Sequence, residues 1–443
     1  AQSQATINLR GAGSNRTLVL LDGKRLPGSP TLGGQSANLN AIPFAAVERI
    51  EILTDGASST YGSDAIAGVI NFVLNDASEG GRFEVKHGSY YEGDGDMIQL
   101  SGNVGLPLSD KGFINLSAEY RTADDTSRSI QRADAADLIA AGNTAVADPA
   151  QIWGSPEIKH DIKLFANLGL ELSDSAEAYL FGNFAEREVE GGFYFRNPHT
   201  RSGVYADPDG NLLVGDLTGD MSGNCPTDIM IDDNVLDNQR YIDLVANNPD
   251  CFAFNEMLPG GFTPNFGGNI TDTALTIGTK GEITSGFLEG AYYDLSGTVG
   301  YNESRYFIYD TINASLGPDS PRDFSPGKYS QLEKNFNADL SKGFDFGLAY
   351  DVNVAGGLEW HEETFTVVSG DEASFTAGPL TEQGFGIGSN GFQGFGPQVA
   401  GEWSRENVAL YTDVEWTPTD ALLLGAALRW EDYDSFGSTT NWK

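Results

Sequence analysis

The chain has 443 residues, and 63 acidic side chains against 26 basic ones leave a formal charge of −37. That balance excludes a nucleic-acid partner, because phosphate binding needs a basic footprint. Hydrophobic residues make up 40%, yet the longest apolar run, Ala421 to Leu428 (ALLLGAAL), is far short of the ~20 residues of a membrane-spanning helix.

In chain order, the first elements lie in Ile7 to Arg25 (INLRGAGSNRTLVLLDGKR): a short strand, a glycine turn carrying Arg10 and Arg16, the strand Thr17 to Leu21, and the tight turn Asp22-Gly23. A strand follows Gly13 where a dinucleotide fold would place a helix, which argues against a nucleotide loop at Arg10 to Gly13. The next block is Val47 to Phe72 (VERIEILTDGASSTYGSDAIAGVINF). Val47, Ile50, Ile52 and Leu53 give its strand an apolar face, and Glu48, Arg49 and Glu51 give it a charged one. Gly56, Gly62 and Gly68 punctuate the turn, and Ala65 to Val73 returns as a second strand. The pattern predicts a small polar domain rather than a greasy core.

Together the two blocks resemble the second half of the plug domain of TonB-dependent outer-membrane receptors, with its NxRG turn, VLxDG hairpin and ERIEV...G...S..YG..A..GVIN segment. The resemblance rests on Asn8, Arg10, Gly11, Asp22, Gly23, Glu48, Arg49, Ile50, Glu51, Gly56, Ser59, Tyr61, Gly62, Ala65, Gly68, Val69, Ile70 and Asn71. Many members have Arg-Gly-Pro where this chain has Asp55-Gly56-Ala57, so a role for that arginine does not carry over.

From Gly81 onward the chain alternates. In Asp161 to Leu172, Ile162, Leu164, Ala166, Leu168, Leu170 and Leu172 share one face, while Asp161, Lys163, Asn167 and Glu171 share the other. The same dyad recurs in 113–121, 331–341, 407–417 and 421–431. Short links alternate with long ones at 122–159, 188–270, 310–328 and 369–401, as in outer-membrane barrels with tight periplasmic turns and extended outer loops. Aromatic residues near strand ends, such as Tyr120, Trp403, Trp416 and Trp430, fit girdles at the membrane interfaces. The expected fold class is mostly β: a partial α+β plug domain at 1–79, then an incomplete transmembrane antiparallel β-barrel at 80–443 with about 11 of roughly 22 strands. The last strand is expected to end near Asp432, with the chain stopping in another outer loop. A half barrel leaves unpaired edges, so the working protein is expected to be longer, with the TonB box before Ala1.

The charged plug residues Arg10, Arg16, Glu48, Arg49 and Glu51 are expected to lock onto barrel-wall carboxylates at Glu119, Glu171, Glu333, Asp339, Asp413 and Glu431. The alternative is that Glu48, Arg49 and Glu51 pair only within the plug sheet. Tyr61 and Gly62 belong to the plug motif. Cys225 and Cys251, both in the longest loop, are expected to form a disulfide. Asp207 to Asn211 (DPDGN) has its glycine too early for an EF-hand and reads as a surface turn. His87, His160, His199 and His361 have no ligand spacing, and no nucleophile stands beside a base, so no enzyme, metal or cofactor is called for. The resemblance implies active import of a scarce, bulky nutrient in the Gram-negative outer membrane, driven by TonB and its inner-membrane complex. A ferric siderophore or similar chelate is the first reading of the substrate, with oligosaccharide or cobalamin as alternatives. A passive porin or a secreted β-rich binding module is the alternative from another class.

Overall fold

The computed structural model describes residues 4–33, 36–54, 57–231, 239–347 and 350–443; Asp55 and Gly56 of the plug block lie outside them. Thr17–Leu21 (β1) turns through Asp22-Gly23 into Lys24–Arg25 (β2). Both turn residues have positive φ, 42° and 77°, which an Asp-Gly pair accepts. Val47–Leu53 (β3), the short helix Ser58–Tyr61 (α1) and Gly68–Leu74 (β4) complete a four-stranded sheet in the order β2-β1-β4-β3, with β1 and β4 parallel.

This domain is not the polar unit its charge pattern predicts. On one face of β1, Leu18 and Leu20 pack with Ala57, Ala65 and Val69. On the other, Val19 and Leu21 join Ile70, Phe72 and Leu74 in a cluster completed by Phe165 and Phe181 from the large sheet. The plug core is thus shared with the wall. The strand expected to bury an apolar face, β3, is instead the edge of its sheet, with Ile50 and Ile52 46% and 58% exposed.

The wall is one twelve-stranded antiparallel sheet. It begins with Gly81–Gly88 (β5), Met97–Pro107 (β6), Gly112–Ala123 (β7), Glu157–Ser173 (β8) and Ala176–Gly192 (β9). After a loop ribbon of Gly215–Asp216 (β10) and Cys251–Phe252 (β11), it resumes with Asn265–Glu282 (β12), Tyr292–Tyr309 (β13), Phe324–Phe344 (β14), Val352–Ser369 (β15), Gly401–Thr419 (β16), Leu422–Tyr433 (β17) and Gly437–Trp442 (β18). Successive wall strands are neighbours, β9 pairing directly with β12, while β5 and β18 are edges and the barrel does not close. β18 corrects the expectation of a terminal loop: Tyr433 and Phe436 stack at 4.3 Å across the turn, and Gly437 turns the chain back along β17 with φ 86°.

Burial along the wall is inverted relative to a soluble protein. In β8, Asp161, Lys163 and Asn167 are buried beside Phe165, while Leu164 on the other face is 50% exposed. In β13, Ser296, Thr298, Asn302 and Ser304 are buried, whereas Leu295 and Val299 are exposed. A polar inner face and an apolar outer face suit lipid outside and a plug inside. Among the described residues no helix is long and apolar enough to cross a membrane, which says nothing of strands.

The connections at 124–156, 193–264, 310–323 and 370–400 all fall at one end of this meander, and short turns such as 108–111 and 174–175 fall at the other. The long loops form a body of their own. Tyr205, Phe252, Phe254, Phe262, Ile312, Leu380 and Phe385, drawn from three loops, make a buried apolar cluster. Cys225 and Cys251 are joined by a disulfide with Cα atoms 5.5 Å apart, which ties the segment after β10 to the start of β11.

Candidate functional site

Besides the apolar cluster shared with Phe165 and Phe181, the plug meets the wall through polar groups on its β1–β2 hairpin and the segment after it. Turning at Asp22-Gly23 carries Lys24 and Arg25 into the wall. Lys24 Nζ lies 3.0 Å from Asp294 on β13 and 3.5 Å from Asp339 on β14. Arg25 pairs with Asp64 of the plug at 2.5 Å and lies 3.9 Å from Glu359 on β15. Burial works against the Arg25 charge, but Asp64, Glu359 and Glu333 outweigh it together and hold its pKa above the ordinary arginine value. Beyond the hairpin, Gly28 N donates to Glu333 at 2.7 Å, Ser29 Oγ to Asn302 at 3.2 Å and Asn38 Nδ2 to Asp272 at 2.9 Å.

A second contact lies at α1. Thr60 Oγ1 donates to Asp413 at 3.2 Å, and Arg429 donates to Thr60 O at 3.2 Å while holding Glu359 at 2.6 Å and Glu431 at 3.0 Å. Gly62 follows with φ 93°, and a Cβ there would lie 3.1 Å from Glu431 Oε1. Its lack of a side chain lets the plug approach the Arg429–Glu431 pair. Burial, with Asp413 nearby, raises the Tyr61 pKa.

Several expected locks are corrected. Arg49 pairs with Glu48 at 2.7 Å and Glu51 at 3.0 Å, all three about half exposed, and Glu51 also accepts from Asn71 on β4 at 3.0 Å, so the trio follows the alternative of pairing within the plug sheet. Arg49 and Glu51, two apart on a strand, share a face, and their bond is shorter in sequence than any to the wall. Arg16 is exposed and donates to Ala12 O at 2.6 Å, and Arg10 is exposed with φ 56°. On the wall, Glu119 takes Lys163 of its neighbouring strand at 2.5 Å rather than a plug cation. Glu171 is exposed; it lines the same cleft as Glu48, Arg49 and Glu51 between plug and turns, a space of about 720 Å³. Lys24, Arg25, Asn38, Asp272, Asp294, Glu359 and Arg429 were not singled out by sequence. Their available signal was a cation pair directly after a hairpin turn and polar residues on the inward phase of wall strands.

At the loop end lies a mouth of about 270 Å³, floored by Gln4 and Thr31 of the plug. Trp153 and Tyr194 rings stand 5.1 Å apart, Phe193 meets Tyr194 at 6.0 Å and Phe266 at 6.2 Å, and Phe266 stacks on Tyr306 at 5.7 Å. This aromatic strip runs from loop to wall.

One group has the composition of a metal site: Glu333, His361 and Glu363 bring their ligand atoms within 4.8 Å of one another. Its members are engaged, Glu333 by Gly28 and by His361 at 3.4 Å, and Glu363 by a forked Arg405. We read the trio as part of the wall's charge network. Asp207 closes its own turn, accepting from Asp209 N at 2.9 Å and Asn211 N at 2.8 Å.

Residues 1–69 match the family model described as TonB-dependent Receptor Plug Domain. The vitamin B12 transporter BtuB of Photobacterium profundum is 36% identical over 122 residues, covering 27% of this chain and 19% of that protein. BtuB of Vibrio vulnificus is 40% identical over 87 residues, covering 19% and 14%. The siderophore receptor PirA from Acinetobacter baumannii superposes with a TM-score of 0.54 at 18% identity, over 98% of this chain and 51% of that one. A mutant of the ferric enterobactin receptor PfeA from Pseudomonas aeruginosa, in complex with enterobactin, gives 0.56 at 14%, over 98% and 53%. The chain thus spans about half the length of these solved structures and less than a fifth of the two curated relatives. At such identity the structural likeness is one of fold.

Proposed function

The chain carries the plug and the barrel wall of a TonB-dependent receptor, and from that premise we propose that the protein imports a scarce, bulky nutrient across the Gram-negative outer membrane, powered through TonB by the inner-membrane complex. The observation that carries this reading is the polar part of the plug–wall contact, beside the apolar patch at Phe165 and Phe181: single hydrogen bonds from Gly28, Ser29, Asn38 and Thr60, and ion pairs at Lys24 and Arg25. Water can replace each of these as the plug shifts. Buried pairs of this kind roughly break even against desolvation, so they set the seat of the plug without welding it.

The floor of the mouth belongs to the plug, so a ligand seated there touches the element that must move. Gln4 is hydrogen-bonded to Ser29 and Thr31, and Ser29 reaches Asn302 on the wall. The arrangement suits binding a cargo at the loop end and passing it beside the plug. A ferric chelate, a cobalamin and an oligosaccharide all suit this mechanism, and the long loops are then extracellular.

Uptake by cells carrying the full-length gene tests the reading. Transport should be lost when TonB is deleted while ligand binding at the surface persists. Equal uptake with and without TonB would leave a passive pore in its place.

A further inference from the structure

The lining of the mouth has a chemical bias that the fold does not require. No lysine or arginine is among the described residues that line it, and its charged side chains are Asp125, Glu157 and Glu190. Two of these carboxylates are partly compensated: Lys159 lies 2.6 Å from Glu157 and 3.8 Å from Glu190, and Tyr309 donates to Glu190. The guanidinium behind the strip, Arg196, is committed to Tyr194 O at 2.9 Å, to Asn390 Oδ1 at 2.6 Å and to the Phe193 ring.

The remaining lining suits a different ligand. Trp153 and Tyr194 are more than half exposed and offer ring area at the entrance. Around them stand neutral hydrogen-bonding groups, among them Thr126, Ser155, Asn265 and Ser304, with Gln4 and Thr31 below. Aromatic faces with a few placed neutral donors and acceptors bind a bulky polar molecule by stacking and hydrogen bonding, and they supply no cation to offset the desolvation of a multiple negative charge. The cleft at the opposite end, between plug and turns, repeats the sign, with eight carboxylate side chains against three cationic ones in its lining. A multiply anionic cargo would meet unfavourable potential on entering and on leaving.

We propose that this mouth selects an uncharged, hydrogen-bonding ligand that lies on the exposed Trp153 and Tyr194 rings at the head of the aromatic strip, and that it rejects multiply anionic ferric chelates such as tris-catecholates. The inference rests on the importer reading and narrows it. An uncharged ferric trihydroxamate, cyanocobalamin and a neutral oligosaccharide share the required chemistry.

Binding to the purified full-length receptor tests this, using tryptophan fluorescence and calorimetry. The probes are a neutral ferric trihydroxamate, cyanocobalamin, malto-, cello- and xylo-hexaose, and a trianionic ferric tris-catecholate. At least one uncharged probe should bind, and which one does identifies the source. Its affinity should fall at least tenfold in Trp153→Ala and in Tyr194→Ala, with heat-modifiable migration confirming that both variants fold. The tris-catecholate should neither bind nor compete. Binding of the tris-catecholate, or binding by none of the uncharged probes, overturns the proposal, as does an uncharged probe that binds equally well to both variants. Uptake of the bound probe in cells with and without TonB separates the two readings: TonB-independent uptake removes the importer mechanism and leaves the ligand class standing.

Discussion

Lys24 is the plug residue whose removal should be felt most. The residue is 6% exposed and its ammonium faces Asp294 and Asp339, so Lys24→Met would leave two carboxylates close together with no cation between them. Both carboxylates keep some access to water, which places the cost at roughly 1–3 kcal/mol, below that of a fully buried broken pair. The plug should seat loosely, read as faster protease cleavage of the plug and as entry of a large antibiotic that the intact receptor excludes. Arg49→Glu should leave both readouts unchanged, because the ion pairs of the Arg49 guanidinium go to Glu48 and Glu51 of its own strand and not to the wall; a leak from this variant would restore the wall lock expected there. Gly62→Ala should act more sharply than its size suggests. Its φ of 93° with ψ near 180° is essentially glycine-only backbone, worth about 1–3 kcal/mol of strain, and the new methyl would crowd Glu431. A Gly62→Ala receptor whose plug melts with the wild type would show that the backbone can relax there. At this scale the sequence shows which residues carry charge. It does not show which charge seats against which wall, because that depends on how the hairpin is inserted.

Among the elements, the wall strands were the most legible, since alternation in β8 or β16 is a property of one strand and needs no partner. Connection lengths were legible for the same reason. What escaped was decided by neighbours. Gly437–Trp442 reads as polar loop (GSTTNW), yet it forms β18 because β17 offers an unpaired edge. In β3 the apolar set was visible, but its exposure follows from its place at the sheet edge. The loop core was invisible, because Tyr205, Phe254, Ile312 and Leu380 come from three loops with no shared period. Apart from that core, the disulfide belongs to a smaller cluster with Leu212, Ile229, Val245 and Ala253. Its cysteines are 26 residues apart, so on the chain-entropy model opening it costs roughly 3–4 kcal/mol of loop stability. Cys225→Ser with Cys251→Ser should therefore make the segment between β10 and β11 much more sensitive to protease, while the thermal transition of the wall stays in place. Simultaneous loss of both would mean that the loop body and the wall fold as one unit.

For the whole molecule, the decisive fact is that a sheet with an apolar outer face ends in two open edges. β5 and β18 each pair with a single neighbour, and Leu422, Leu423, Leu424 and Trp442 around the β17–β18 edge are exposed. In lipid, every unpaired backbone donor and acceptor along such an edge lacks the water that would otherwise satisfy it, so a spanning sheet must close. The solved structures that share this fold are about twice as long as this chain. Residues 1–443 produced alone and folded into detergent should accordingly associate through β5 and β18 into oligomers without heat-modifiable migration. The full-length receptor should run as a compact, heat-modifiable monomer. A protease-resistant, heat-modifiable monomer from residues 1–443 alone would mean that the two edges can meet, closing a twelve-stranded barrel. Such a barrel is far narrower than one of ~22 strands, and the plug seated by Lys24 and Arg25 would have to leave it. Closure and plug retention are thus alternatives for this length of chain, and measuring both on one sample distinguishes them.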